Sequence, residues 1–511
     1  MTLSARSSPA LITISVMLAT IMQALDTTIA NVALPHMQGT LSATQDQISW
    51  VLTSYIVAAG IMTPATGFLS TRFGRKRLFV WSVVGFTLAS LLCGAALTLN
   101  QIVLYRLLQG VFGAALVPLS QAILLDTYPR EKHGKAMAMW GVGVMIGPIL
   151  GPTLGGLLTE YYNWRWVFLI NLPFGLLALG GILAFVPETE KDTKRPFDFT
   201  GFAFLAIAIG ALQMMLDRGE LQAWFESTEI VIEGLVAALA LYMFIAHMLT
   251  HHRPFLDRHL FLDRNFSIGL VFIFIVGIIL LATMALLPPF LQHLKGYPVI
   301  TTGYLLAPRG VGTMVSMMLV GRLMGKVDTR LLILGGLALT SFSLWQMSQF
   351  SLDVTEFMLV ESGVIQGLGL GLIFVPLSTV TFSTLAPHLR TEAAAMFSLM
   401  RNIGSSIGIS IVTALLSRNT QINHARLAEH VNIFNPMMHA PYLPPSWSLD
   451  SATGLAALDA EVTRQAASIA YIDDFVLMMW VTLCALPLLF LLRKPRANAG
   501  TPAPALHAVA D

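Results

Sequence analysis

One carboxylate, Asp26, lies inside the first long apolar segment of the chain. If that segment is a helix, Gln23, Asp26, Ala30 and Ala33 fall on one face of it. An apolar medium disfavours the charged form of a carboxylate, so the protonated and ionised forms come closer in free energy than they are in water. A reversible proton carrier needs such a group. A structural carboxylate that bonds a neighbouring helix is the alternative interpretation.

A second charge within an apolar segment is the guanidinium of Arg106. Arg106, Gln109, Gly110 and Gly113 follow the spacing i, i+3, i+4, i+7, which places them on one helix face. A buried guanidinium stays charged and needs an acceptor. Asp26 is the candidate acceptor if the two helices meet, and a clamp on backbone carbonyls is the alternative.

The fifth apolar segment repeats glycine at steps of four residues. Small residues at this spacing let another helix approach the backbone closely, and prolines in the same turns permit bending. The pattern therefore predicts tight helix packing and suggests a hinge. The residues are Gly143, Gly147, Pro148, Gly151, Pro152, Gly155 and Gly156.

Four further charged residues lie near the ends of apolar segments and are secondary candidates for a functional role. Glu361 and Arg401 are candidates to pair with each other, while Asp217 and Arg218 mark the end of the seventh segment. Charges at such positions carry function more often than charges in a solvated loop.

No metal site is predicted. The two cysteines lie in separate apolar segments without a CxxC pair, and the histidines near residue 250 are expected in a solvated segment at the membrane surface. These residues are Cys93, Cys484, His247, His251 and His252.

The elements that must hold these groups are membrane-spanning helices. The chain has 511 residues, of which 55% are hydrophobic and 11% charged, whereas soluble domains carry about 25% charged residues. A membrane helix needs about 20 mostly apolar residues. This criterion predicts an all-α integral membrane protein with 14 spans, at 11–34, 48–70, 78–97, 101–124, 136–158, 167–186, 200–216, 230–249, 267–291, 303–325, 331–350, 357–379, 393–416 and 475–492.

The basic residues predict the orientation of these spans. Of the 30 Lys and Arg, 21 lie on the side that also holds both termini, and six lie on the other side. The positive-inside rule places the termini in the cytoplasm and the polar stretch 418–470 outside. Because the basic residues fall between apolar segments and form no stripe, nucleic-acid binding is excluded.

An internal repeat divides the spans. The stretch from Gly67 to Arg75 resembles 321–330 at an offset of 254, and Gln109-Gly110 resembles Gln366-Gly367 at an offset of 257. A repeat in one orientation is typical of transporters built from two parallel halves. We therefore predict a six-helix half at 1–187, a linker with two inserted helices at 188–254, and a second six-helix half at 255–511, with an outer loop at about 418–470.

Several stretches resemble motifs of the 14-span drug/proton antiporters of the major facilitator superfamily, the EmrB/QacA type. The first five are LDTTIANVALP at 25–35, GFLSTRFGRKR at 67–77, LYRLLQG at 104–110, GPILGPTLGG at 147–156 and WRWVFLINLP at 164–173. The last of these resembles the EmrB branch, as do MLDRG at 215–219, HARL at 424–427 and NIFNP at 432–436.

The resemblance implies export of small hydrophobic drugs and toxic compounds across a bacterial inner membrane, driven by proton entry without a cofactor. It also implies a periplasmic adaptor and an outer-membrane channel as partners. Within the motifs it assigns a gating loop to Gly67, Arg72, Gly74 and Arg75. Thr71 stands where that loop usually has Asp, so the charge relay of the loop must be absent or rebuilt.

Two other functions are considered. A dedicated exporter of one metabolite, such as a siderophore or fatty acid, would share this fold and differ in its pocket. A membrane-embedded enzyme is excluded by the lack of the H-E-x-x-H, G-x-S-x-G and P-loop patterns.

Overall fold

The computed structural model describes residues 8–189, 191, 196–432, 434–439, 444 and 446–492. The first half contains α1 (Pro9–Thr40), α2 (Gln45–Met62), α3 (Ala65–Phe73), α4 (Arg75–Ala95), α5 (Leu99–Gly113), α6 (Leu116–Thr127), α7 (His133–Tyr161), α8 (Trp166–Leu169) and α9 (Asn171–Phe185). Two helices follow, α10 (Phe199–Arg218) and α11 (Thr228–Thr250). The second half contains α12 (Arg258–Leu262), α13 (Arg264–Pro289), α14 (Val299–Leu323), α15 (Thr329–Met347), α16 (Glu356–Ser383), α17 (Arg390–Ala428) and α18 (Ala452–Cys484).

The helices confirm an all-α membrane protein. Among the described residues, 12 helices are long and apolar enough to cross a membrane, and α2 with α3 forms a thirteenth span bent by 59°. The 25-residue α14 is also long enough to cross, but Arg309 and Arg322 lower its hydropathy. Counting α14 gives the predicted 14 spans, a number that stays a prediction.

Two predicted spans are broken. The second breaks between Met62 and Ala65, where Pro64 lacks the N–H that would continue the helix. The fourth breaks between Gly113 and Leu116. Hydropathy does not detect such breaks because the residues on both sides are equally apolar.

The predicted outer loop at 418–470 is mostly helical, which corrects that prediction. Helix α17 continues to Ala428 and α18 begins at Ala452, so only 429–451 is left between them. A helix satisfies its backbone hydrogen bonds in water as well as in lipid, whereas hydropathy marks only where lipid ends. His424 and Asp459, whose side chains are 2.9 Å apart, join the two extensions.

Some residues on which the sequence predictions rest lie outside the described residues. In the predicted outer loop these are Pro441, Tyr442 and Pro445. Among the basic residues counted on the side of the termini they are Arg6, Lys194, Arg195, Arg493, Lys494 and Arg496.

The two halves pack alike. In the first half α1 packs against α7, α2 against α5 and α4 against α9. The repeat-related helices form the same pairs in the second half, α13 with α17, α14 with α16 and α15 with α18. This pattern supports the predicted division into two repeats, whose boundaries at 187 and 254 stay a prediction.

The inserted helices begin at Asp198. Its carboxylate caps α10 by accepting the N–H of Gly201 at 2.9 Å, and it accepts the N–H of Phe255 at 3.0 Å. Nε2 of His247 on α11 lies 3.0 Å from both carboxylate oxygens. His251 stacks on His247, and its ring brings a third potential ligand atom within 4.8 Å of the other two. Because the Asp198 carboxylate already accepts these bonds, we assign Asp198 and His247 the structural role of holding α10 against α11.

Candidate functional site

The Asp26 carboxylate is fully buried and bonded on both oxygens. Its Oδ2 lies 2.6 Å from Nη1 of Arg106. Its Oδ1 accepts hydrogen bonds from Nε2 of Gln109 at 2.8 Å and Nδ2 of Asn171 at 2.7 Å. The structure thus brings Asp26 and Arg106 together, as their burial in apolar segments requires.

The guanidinium of Arg106 contacts backbone as well as carboxylate, so both interpretations from the sequence describe part of its environment. Its Nε donates to the carbonyl of Val51 at 3.0 Å, and Nη1 also donates to Oε1 of Gln109 at 2.8 Å. The ring of Tyr55 lies under the guanidinium, with its centroid 4.3 Å away. A planar cation with donors in several directions fits this arrangement.

Each of these three bonds donates to an oxygen of the Asp26 carboxylate. The donors come from α5 and α9, while Asp26 is on α1. The Asp26 carboxylate therefore fastens α1 to both α5 and α9.

Asn171 was not singled out from the sequence. Besides Asp26, its Nδ2 donates to Oγ of Ser90 at 2.9 Å, and the residue is fully buried. The available signal was a polar amide in the motif stretch 164–173. A buried amide needs hydrogen-bond partners, and the Asp26 carboxylate supplies one.

The rest of the fourth-span face packs against neighbouring helices. A Cβ on Gly110 would lie 2.9 Å from Cβ of Ala58 on α2, and one on Gly113 would lie 3.0 Å from the ring of Phe86. The small residues thus let α5 approach α2 closely enough for Arg106 to reach Val51.

The glycine ladder of α7 is the surface on which α1 lies. Gly147 faces the backbone of Ala24, and Gly151 faces Thr28, whose hydroxyl donates to the Gly147 carbonyl at 3.0 Å. Gly155 faces Ile29, with 3.0 Å to its side chain. The predicted close packing is present around the turn that carries Asp26.

The remaining motif residues differ from the ladder. A Cβ on Gly156 would meet nothing within 4 Å, so this glycine is not part of the packed face. Pro148 and Pro152 lie within α7, which continues as a helix from His133 to Tyr161. The suggested hinge is therefore not a break in this conformation.

The opposite side of α7 contacts the second half. Gly310 of α14 packs against the side chain of Ile149, and a Cβ on Gly321 would lie 2.8 Å from that of Ala138. Helix α7 therefore touches both α1, which carries Asp26, and α14 of the other half.

The gating loop joins the halves through Arg75, Asp126 and Arg390, which we call the gate cluster. Asp126 forms ion pairs with Arg75 and with Arg390, the latter at 2.5 Å. The Thr71 hydroxyl donates to the Gly67 carbonyl of its own helix at 3.1 Å. In the gate cluster, Asp126 supplies the carboxylate that the loop itself lacks.

Three other residues of the gating loop have distinct positions. A Cβ on Gly67 would lie 2.8 Å from Cα of Glu392 on α17, so glycine permits this contact between the halves. Gly74 separates α3 from α4 with φ of 89°, a conformation suited to glycine. Arg72 is half-buried at the end of α3.

The secondary candidates have separate surroundings. Among the described residues, Glu361 and Arg401 form no ion pair with each other, so that suggestion was wrong. Asp217 accepts a hydrogen bond from the hydroxyl of Thr53, and Arg218 pairs with Glu229. Asp217 and Arg218 lie on α10, and Glu229 lies on α11.

The family follows from comparison with known proteins. The profile of the Major Facilitator Superfamily matches residues 16–409. The chain belongs to this superfamily. Multidrug export protein EmrB of Escherichia coli K12 is 36% identical over 495 residues, covering 96% of each chain. Fatty acid resistance protein FarB of Neisseria gonorrhoeae is 35% identical over 492 residues, covering 96% of this chain and 97% of FarB.

These relatives place the transporter in the EmrB-type branch, as the motifs predicted, and solved structures show the same fold. The proton:xylose symporter XylE matches with a TM-score of 0.60 at 13% identity, covering 92% of this chain and 94% of XylE. The human organic anion transporter MFSD10 matches with a TM-score of 0.58 at 14% identity, covering 93% of this chain and 99% of MFSD10.

The two halves of this superfamily member differ at positions that the internal repeat relates. At the offset of 257, Thr283, Gly363 and Gln366 correspond to Asp26, Arg106 and Gln109. Nε2 of Gln366 donates to Thr283 at 3.3 Å, the counterpart of the bond from Gln109 to Asp26. The second half keeps this bond but has neither charge at the two related positions.

Proposed function

We propose that this transporter exports small hydrophobic drugs and toxic compounds in exchange for protons, and that Asp26 binds the coupling proton. The observation that carries the proposal is the chain of contacts from Asp26 to the other half. Asp26 lies on α1, α1 packs on the glycine ladder of α7, and α7 packs on α14. A change of protonation at Asp26 thereby acts on the contact between the halves.

The proposed mechanism has two parts, protonation of Asp26 and opening of the gate cluster. Protonation of Asp26 removes the negative charge that holds Arg106, Gln109 and Asn171, so α1 loosens and slides on α7. This movement reaches α14, and the gate cluster opens when the halves rock apart. Since Asp26 has no exposed surface in this conformation, substrate acts on it through helix position and not by contact.

We place the protein in a bacterial inner membrane with both termini in the cytoplasm, because the basic residues favour that orientation. A cysteine introduced at Ser448 should react with a membrane-impermeant thiol reagent in cells whose outer membrane is permeabilised. A cysteine at Ala497 should not react. The reverse labelling would overturn the orientation.

We further propose that the helical extensions of α17 and α18 dock a periplasmic adaptor, which continues to an outer-membrane channel. The support is the EmrB likeness together with a paired helical projection beyond the spans, of which 429–451 is the connecting part. Shortening the projection should abolish recovery of the adaptor in a pull-down. Unchanged recovery would place the interface elsewhere.

A dedicated exporter of one metabolite, such as a siderophore or fatty acid, is the second candidate. FarB is named for fatty acid resistance and matches this chain at 35% identity, against 36% for EmrB. A panel of toxic compounds and fatty acids, tested on cells with and without the transporter, separates the two. Resistance to several unrelated compounds supports drug export, whereas resistance to fatty acids alone supports the dedicated exporter.

Proton coupling is tested with Asp26→Asn in liposomes. The variant keeps the size of the side chain and removes its titration, so it should bind substrate but not transport it in response to a pH gradient. Substrate-induced proton release should vanish as well. If the variant releases protons and transports like the parent, another group carries the coupling.

A further inference from the structure

A second carboxylate is as deeply buried as Asp26 but lacks its partners. Asp474 on α18 is 1% exposed. Neither of its side-chain oxygens has a hydrogen-bond partner among the described residues. Asp26, in contrast, accepts three hydrogen bonds, one of them from a guanidinium. The two acids are therefore alike in burial and opposite in the partners that surround them.

The surroundings of Asp474 are apolar. Its neighbours on α18, Tyr471 and Phe475, belong to a buried cluster that includes Phe290 and Phe350. The ring centroids of Tyr471 and Phe290 are 5.4 Å apart, and those of Phe475 and Phe350 are 6.2 Å apart. Nothing in this cluster compensates a negative charge.

The charged groups of the packed elements lie elsewhere. Helices α13 and α15 carry Arg264 and Arg330 at their opposite ends. On α17, Arg401 and Arg418 flank Val412, the α17 residue in the cluster. The turn at Phe290–Leu294 holds His293, and Lys295 donates to two backbone carbonyls.

Among the described residues, the acid next to Asp474 along α18 is Asp473. Two negative charges on adjacent residues repel each other. Asp473 itself is exposed, so the buried acid is one residue away from the surface.

A carboxylate cannot remain ionised in such a site without a partner, so the acid is neutral in this conformation. We propose that Asp474 is a second proton-binding site, loaded in the conformation described and unloaded when movement of α18 exposes the carboxyl to water. This inference rests on the proposed function, because it adds a titrating site to the same transport cycle.

The two proton sites are independent in position. Asp26 lies within the first half and Asp474 within the second, where the repeat-related residue Thr283 cannot titrate. The second half thus regains a titrating group on a different helix. One proton at each site per cycle would make export respond to two protons.

The experiment measures protonation of the purified full-length transporter without substrate. Infrared difference spectra recorded across a pH titration show the carbonyl band of a protonated carboxylic acid. We expect the parent to lose such a band as pH rises, and Asp474→Asn to lack that loss, with proton uptake reduced by one per molecule. A band that persists at every pH, or unchanged uptake in the variant, would overturn the proposal.

Two further variants keep the result interpretable. Asp474→Glu should restore the titrating band, which separates titration from packing if Asp474→Asn folds poorly. Asp473→Asn removes the neighbouring charge, so the midpoint of the titration should move to lower pH while the band remains. A midpoint that stays in place in Asp473→Asn would contradict the assignment of the band to Asp474.

The test is separable from that of the proposed function. Asp26→Asn should leave the Asp474 band intact, because no contact links the two sites among the described residues. If Asp26→Asn transports normally while Asp474→Asn loses the band, the role of Asp26 fails and the second site stands.

Discussion

The carboxylate of Asp126 holds the guanidinium of Arg390 at 2.5 Å, although 264 residues separate them in the chain. Asp126 ends the fourth span of the first half, and Arg390 begins α17 of the second. The same carboxylate pairs with Arg75 of the gating loop. This acid of the first half therefore binds one cation of its own half and one of the second half, so it bridges the junction between the halves.

The first prediction concerns this acid. Asp126→Asn should weaken the closed junction by ~1 kcal/mol, a modest value because Asp126 is partly exposed. This shift corresponds to an about fivefold larger open population. A cysteine at the buried Ser70, in a background without Cys93 and Cys484, should then be labelled faster. Equal labelling in parent and variant would show that the gate cluster does not hold the junction.

The second prediction concerns Arg106→Lys. Lysine keeps the charge, but its single ammonium cannot reach Asp26, Gln109 and the Val51 carbonyl in the directions that the guanidinium uses. Most transport should be lost, while Arg106→Ala should abolish it in a protein that still folds. Transport into liposomes and thermal unfolding in detergent provide the two readouts. Normal transport by Arg106→Lys would mean that charge alone suffices.

The third prediction uses two glycines of one motif. A Cβ added at Gly147 collides with the backbone of Ala24, whereas one added at Gly156 meets nothing within 4 Å. Gly147→Ala should therefore displace α1 and abolish proton-coupled transport. Gly156→Ala is the matched control and should transport like the parent. Similar losses of transport in both variants would assign the effect to the flexibility of α7 and not to the packing of α1 against α7.

The fourth prediction is a pH dependence at Asp198. Burial acts to raise the pKa of Asp198, but the bonds from Gly201, His247 and Phe255 outweigh it and hold the pKa below its ordinary value. A pKa lowered by folding stabilises the folded state above the unfolded pKa of about 3.9, and this stabilisation is lost as pH falls through the folded value.

Asp198→Asn should therefore be less stable than the parent by ~1 kcal/mol at neutral pH, and the difference should shrink below about pH 4. Thermal unfolding of both proteins between neutral and acid pH measures this. A difference that does not change with pH would attribute the effect to the lost capping geometry and not to charge.

The sequence predicts that Asp26 and Arg106 each need a partner because each charge lies in an apolar segment, and it offers their pairing as one of two interpretations. Asn171 and Asp126 were not predictable in the same way. Asn171 is neutral, and Asp126 lies at the end of a span, where a charge can be solvated. Only the packing of helices distant in sequence shows that Asn171 donates to the Asp26 carboxylate and that Asp126 pairs with the guanidinium of Arg390.

The suggested pair of Glu361 and Arg401 failed for a related reason. They lie on α16 and α17, which follow each other in the chain, but α16 packs mainly against α14 and α15, and α17 against α13 and α18. The order of spans in the sequence does not give this arrangement. Hydropathy likewise placed the ends of the spans and not the ends of the helices, which is why α17 and α18 run beyond the predicted loop boundaries.

The inserted helix α10 makes the two sides of the transporter unequal. It accepts a hydrogen bond from Thr53 of α2 at Asp217, and it bonds α17 through Gln213 to Ser406 and through the Leu216 carbonyl to Ser410. On the opposite side α7 meets α14 directly. A molecule dissolved in the lipid that approaches between α2 and α17 therefore meets α10, which blocks its path. To open a lateral portal on that side, α10 would have to separate from α2 or from α17, whereas on the other side only the direct contact between α7 and α14 would have to open.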